Sequence, residues 1–147
     1  MVPPRGWKYQ ESNAKLRRSA NYRESYFNAH PGREIFRWKF WFCSYCGKVL
    51  WNKKSIEIDH IHSVRRVQYT RKLRERYKTK PAGVNDLSNL TAACRRCNRR
   101  KGKQGGLWVL LGRYGQHFMP QLRLSIQLLI LYVIVARIFP LMMDYYL

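Results

Sequence analysis

Apolar and polar positions follow several different rhythms along this chain, and each rhythm predicts a different element. Ser12 to Phe27 is made of good helix formers and reads as a helix, which the turn-rich run Asn28-Ala29-His30-Pro31-Gly32 ends. Ile35 to Phe42 reads as a strand or extended run, with Trp38 and Phe40 on one face and Lys39 and Trp41 on the other, so at least one tryptophan is expected at the surface. Ser55 to Ile61 alternates Ile56 and Ile58 with Glu57 and Asp59, a second strand. His62 to Lys80 is dominated by cations and reads as a solvated helix or a mobile loop, closed by Pro81-Ala82-Gly83. Asp86 to Ala93 reads as a short strand or turn, and Arg95 to Lys103 as a helix broken by Gly102, Gly105 and Gly106.

The far end is different. Leu124 to Ala136 has 13 residues without a charge, eleven of them apolar. A membrane-spanning helix needs about 20 apolar residues, and this stretch reaches that only by accepting Ser125, Gln127, Arg137 and Pro140. A buried helix packed on the body, or self-association or a protein partner through this tail, is therefore preferred to a membrane tether.

Charge divides the chain in the same place. Over 147 residues the formal charge is +21 and the pI near 10.5, which points to a polyanionic partner, nucleic acid first and anionic lipid second. Residues 1–103 carry +19 of that charge and residues 104–147 only +2. The expected organisation is a basic aromatic extension over 1–41, with Trp7, Tyr9, Tyr22, Tyr26 and Phe27 among its aromatics; a core over 42–103 with a basic insertion at 62–84; and an apolar, helical tail over 104–147. The aromatics before Cys43 read as core rather than as stacking platforms. Met1 to Gln10 lacks the apolar segment of a cleaved export signal, so an intracellular setting is expected.

Four cysteines form two pairs of identical spacing, Cys43 with Cys46 and Cys94 with Cys97, with 47 residues between the pairs. Two such short loops would be poor disulfide staples, whereas Cys-x-x-Cys knuckles suit one tetrahedral zinc. The alternative is four free buried thiols; matched spacing and the polar flanks Gly47-Lys48 and Arg95-Arg96 favour zinc. Four thiolates leave no open coordination position, so that zinc is expected to be structural, and any catalysis must come from elsewhere. Between the knuckles lies Asp59-His60-Ile61-His62, and Asn98 follows the last cysteine. A carboxylate and an amide oxygen suit Mg²⁺ or Mn²⁺, and an adjacent imidazole can act as a base near neutral pH. His62 shares a strand side with His60 and faces either that site or solvent.

At these residues the sequence resembles the HNH endonuclease family, the ββα-metal nucleases. The likeness covers Phe42 to Gly102 and rests on Cys43-Ser44-Tyr45-Cys46-Gly47, Ile58-Asp59-His60-Ile61, Asp86-Leu87-Ser88-Asn89-Leu90 and Cys94-Arg95-Arg96-Cys97-Asn98-Arg99-Arg100-Lys101-Gly102, in that order. The resemblance implies an α+β fold, a small ββα core stapled by the four-cysteine zinc. It further implies that Asp59 and Asn98 bind a catalytic Mg²⁺ or Mn²⁺, that His60 activates water, and that Asn89 holds the loop orienting His60. Cleavage of DNA to 3′-hydroxyl and 5′-phosphate ends follows from the same likeness. Arg95, Arg96, Arg99, Arg100 and Lys101, with Arg65, Arg66, Arg71 and Lys72 of the insertion, are the expected phosphate contacts. Three features depart from the family pattern: Ser63 stands where a proline is common, Ala82-Gly83 replaces Gly-Gly, and 29 steps separate His60 from Asn89. The competing expectation is a zinc-stabilised nucleic-acid-binding or assembly protein of the same shape that does not cut.

Overall fold

The computed structural model of the chain describes residues 13–146, with side chains as far as Ile138. Trp7, Tyr9 and Ser12, the start of the first expected helix, lie outside the described residues. That helix is divided. Asn13 caps a single 3-10 turn at Ala14–Leu16 by accepting from the Lys15 backbone N–H, and α1 then runs Tyr22–Ala29. It stops within the predicted turn, where the His30 N–H closes on the Tyr26 carbonyl ahead of Pro31.

The run expected as one strand from Ile35 is a hairpin. Strands β1 (Arg33–Ile35) and β2 (Trp38–Phe42) pair antiparallel with Ile35 opposite Trp38, and Phe36 takes the positive φ of 55° at the turn. A two-residue turn keeps side chains in step across it, so the alternation continues straight through the reversal. Trp38 is 70% exposed while Trp41 is buried and donates its indole N–H to the His30 carbonyl at 3.0 Å. Strand β3 (Val49–Leu50) completes this sheet on the other edge of β2.

The second sheet positions the chemistry. Strand β4 (Ile56–His60) pairs antiparallel with β5 (Leu90–Cys94), placing Asp59 opposite Thr91 and His60 opposite Leu90. Ile56 and Ile58 face a core of Tyr26, Phe27, Trp41, Tyr45, Leu90 and Ala92. A ββα unit is completed when Cys94 accepts from the Cys97 N–H through Sγ, which caps the helix that follows β5.

The basic stretch after His62 is neither an open loop nor one solvated helix. It forms α2 (Val64–Tyr69) and α3 (Arg71–Lys78), and α4 follows β5 over Arg95–Lys101. Val67 and Tyr77 are buried with Val84 and with Leu16 from the N-terminal turn, a small second core that accounts for the extra length between His60 and Asn89. Ser63, in place of the common proline, caps α2 by accepting from the Arg66 N–H at 3.3 Å. Gly83 is retained for space and conformation: its φ is +60°, and a Cβ there would sit 2.0 Å from the Lys15 carbonyl oxygen.

Helix α5 runs Leu107–Tyr146, starting well before the apolar run. Its first turns dock on the body: Trp108 and Leu111 pack on the main core, and Gln116 donates to Tyr26 Oη at 2.7 Å and Thr91 Oγ1 at 3.1 Å. Gly115 permits this approach, since a Cβ would fall 1.8 Å from the Ser44 carbonyl oxygen. Beyond Pro120 the picture changes, and every residue from 121 to 138 is exposed. The expectation that the apolar strip packs on the body is thus corrected. The reason is length: 40 helical residues extend about 60 Å, roughly twice the width of a small domain, so a helix fixed at one end outruns its support.

Candidate functional site

The four cysteines gather from the ends of two strands. Cys43 directly follows β2, Cys46 lies in the turn beyond it, Cys94 ends β5 and Cys97 sits in the first turn of α4. Their sulfurs all lie within 4.8 Å of one another, and Cys46 Sγ is 4.0 Å from Cys94 Sγ. Zinc bonds of about 2.3 Å in a tetrahedron place sulfurs about 3.8 Å apart, so the cluster needs only a slight contraction to close on the ion. The first knuckle is held by bonds from the Gly47 N–H to the Cys43 carbonyl (2.8 Å) and from the Cys43 N–H to the Lys48 carbonyl (2.9 Å). Hydrogen bonding with Cys43 draws the Cys46 thiol down to about 5, and the same contact with burial pushes Cys43 up. A soft, closed set of four thiols at this spacing supports a structural zinc.

Strand β4 presents Glu57 and Asp59 to α4, which answers with Asn98 and Lys101 one turn apart. Asp59 Oδ2 accepts from the Tyr45 hydroxyl at 2.5 Å and pairs with Lys101 Nζ at 2.8 Å. Asn98 Nδ2 donates to Glu57 Oε2 at 3.5 Å. Carboxylate and amide oxygens are of the hard type that Mg²⁺ or Mn²⁺ takes, while the Lys101 ammonium already balances the Asp59 charge. Zinc knuckle and acidic face are joined, because Tyr45 lies between Cys43 and Cys46 while its hydroxyl holds Asp59. Lys101 was expected to grip phosphate; it is instead fully buried, paired to Asp59 and donating to the His60 carbonyl at 2.7 Å. A buried carboxylate needs a counter-charge, and the lysine facing β4 supplies it while its neighbours point to solvent. Lys101→Met is therefore expected to lower stability by about 3 to 5 kcal/mol in a denaturant melt, and adding Asp59→Asn to recover part of that loss.

His60 turns to the opposite face of β4, toward α1 and the loop before β5. Asn85 Nδ2 donates to the Arg17 carbonyl at 2.7 Å, which orients its Oδ1 toward Ser19 N–H at 3.1 Å and His60 Nε2 at 3.2 Å. An amide oxygen only accepts, so the imidazole proton belongs on Nε2 and the lone pair on Nδ1, an atom buried without a partner. The Tyr22 ring stands over the imidazole with centroids 5.0 Å apart. Burial lowers the His60 pKa to about 4, so the ring is neutral at neutral pH. Asn89 is fully engaged: its Oδ1 accepts from the His62 N–H and the Tyr77 hydroxyl, both at 2.8 Å, and its Nδ2 donates to the His62 and Val84 carbonyls. The bracket thus closes on the residue two after His60, and the Ile61 N–H adds a bond to the Asn89 carbonyl at 2.7 Å. His62 is buried edge-on to Tyr77 and faces neither solvent nor the imidazole of His60.

Asn85, Tyr45 and Tyr22 were not singled out from sequence. Tyr45 had a signal, its place inside a knuckle; Asn85 had only its Gly-Val-Asn turn, and Tyr22 none beyond its four-residue spacing from Tyr26.

Arg65, Arg71, Lys72, Arg95, Arg96, Arg99 and Arg100 are exposed, and Arg66 is half-buried. An open groove of about 680 Å³ lies between the N-terminal segment, α2 and the end of α4, lined by Arg18, Ser63, Arg65, Tyr69 and Lys103 among others. Arg18, which lines this groove, helps disfavour protonation of His60, although burial is the main cause and His60 itself does not line the groove.

Residues 43–104 match the family model described as HNH endonuclease. No curated protein and no solved structure matches the chain.

Proposed function

We propose that this chain, whose residues 43–104 form an HNH endonuclease domain, hydrolyses DNA phosphodiester bonds to 3′-hydroxyl and 5′-phosphate ends. The observation that carries the reading is the end of β4, where a carboxylate and a neutral imidazole stand on adjacent residues, Asp59 and His60, of a domain that also exposes a cationic groove. For cleavage the buried Nδ1 of His60 must open to the water whose proton it takes, and Asn85, accepting from Nε2–H, keeps the lone pair on that nitrogen and steadies the imidazolium as it forms. Tyr45 and Lys101 hold the Asp59 carboxylate in place. A Mg²⁺ or Mn²⁺ ion on Asp59 and Asn98 would neutralise charge at the phosphate and the departing 3′ oxygen. Exposed arginines of α2 and α4 hold the backbone, which carries no base information.

Burial of His60 beneath Tyr22 favours the second reading, a zinc-stabilised nucleic-acid-binding protein that does not cut. Supercoiled plasmid incubated with the full chain and Mg²⁺ or Mn²⁺ separates the two. Nicked or linear product bearing 5′-phosphate is expected; binding without cleavage under every metal selects the second reading. Both readings predict an affinity that falls steeply with salt, with a log-log slope of about −0.9 per phosphate neutralised. A flat response would remove the nucleic-acid partner from both.

A further inference from the structure

Nothing in a nuclease or a DNA-binding module calls for the second half of α5. We propose that residues 124–143 of this helix span a lipid bilayer and tether the basic domain to the membrane. The inference is independent of whether the domain cuts DNA.

Three observations select a bilayer over other cover. The first is that apolarity runs round the whole helix rather than along one stripe. Leu128 to Val135 are eight consecutive apolar residues, and at 100° per residue they sample every direction; their exposures run from 48% to 70%. A second copy packing alongside would cover one stripe and leave the remainder in water, whereas lipid covers every side. The second is length. Leu124 to Met143 is 20 residues with one charge, Arg137, which at 1.5 Å per residue gives about 30 Å, the thickness of a hydrocarbon core. Arg137 stands six residues from Met143, off the centre of the span, so its long side chain can reach the headgroups.

The third is charge. Arg113 and Arg123 lie on the domain side within about 20 residues of the span, while residues 144–147 on the far side hold no Lys or Arg. That asymmetry is the one that retains a flanking domain on the cytoplasmic face, where anionic lipids attract it and where DNA and reduced thiols are found. The helix from Leu107 is continuous through the span, so its backbone groups are paired within it except where Pro140, near the far end, supplies no N–H to the Ala136 carbonyl.

The test is flotation of the full chain, purified in mild detergent and reconstituted into phosphatidylcholine vesicles with and without phosphatidylglycerol. The chain is expected to float with both vesicle types and to stay bound through about 1 M NaCl, where surface electrostatics are screened, and through alkaline carbonate. The double substitution Ile130→Lys with Ile134→Lys places two charges mid-span on residues that touch nothing in the domain. It is expected to lower the wash-resistant fraction at least tenfold while zinc content stays at the wild-type level. Release of the wild-type chain by salt would reduce the contact to surface attraction and overturn the proposal. So would a detergent-free, monodisperse oligomer in which residues 124–143 are protected from protease, since a second copy would then be the cover.

Discussion

Replacing His60 by alanine is expected to lower metal-dependent plasmid cleavage by about 10²- to 10⁴-fold, with zinc content unchanged and DNA affinity at its original level. The size follows from what the residue would do, since a positioned general base contributes about that factor. His62 is the only neighbouring imidazole, and its ring lies edge-on to Tyr77 with its backbone enclosed by Asn89. The loss should fall on the rate at saturating DNA, because the cations that bind the backbone are untouched. His60→Gln fills more of the buried space and serves as the check on folding; it should be as inactive as the alanine variant if proton transfer is the role. Asn85→Ala removes the acceptor for Nε2–H along with its bonds to the Arg17 carbonyl and the Ser19 N–H, so both tautomers become available, and a loss smaller than that of His60→Ala is expected. Full cleavage by either His60 variant would sink the assignment of the base.

These roles were unevenly legible in the sequence, and the division follows the range of the interactions. The knuckles, β4, the Asn89 turn and α4 could all be read, because period-two alternation and Cys-x-x-Cys spacing are local patterns. Lys101 could not be told from Arg99 and Arg100 in a run of cations, since only the packing of α4 on β4 decides which one meets Asp59. Asn85 was invisible because its orientation depends on Arg17 and Ser19, 68 and 66 residues away. The hairpin at Phe36 has neither glycine nor asparagine at its turn, so nothing local announced the reversal. Gly115 carried no signal in the sequence, because only the docking of α5 brings the Ser44 carbonyl against it. In the basic insertion, two buried residues among many cations, Val67 and Tyr77, were too few to show a period, yet with Leu16 and Val84 they close a second core.

Loss of zinc is expected to have the largest effect on the molecule, abolishing the cooperative unfolding transition of the domain. The two sheets share few backbone bonds: the Ser44 N–H donates to the Ala92 carbonyl at 3.0 Å, and beyond that the sheets meet through side chains and the cysteine cluster. Structural zinc in small domains contributes about 10 to 16 kcal/mol of apparent binding free energy, against a whole-domain stability of about 5 to 15 kcal/mol, so the domain has too little other stability to survive its removal. Cys94→Ser should act as chelation does, and more locally, because Cys94 both ligates and caps α4. Helix content is a poor readout, since the outer half of α5 does not depend on the domain; the fluorescence of buried Trp41 reports the core directly. Strong chelation also strips the hard divalent ion, but the two losses part on replacement. Restoring Mg²⁺ alone should leave the protein unfolded and inactive, because Tyr45 reaches Asp59 only from a closed knuckle, whereas zinc followed by Mg²⁺ should restore both fold and cleavage. A cooperative melt with an unchanged midpoint in the zinc-free chain would mean that the cysteines are ordinary core thiols, and the coupling through Tyr45 would fail with the zinc.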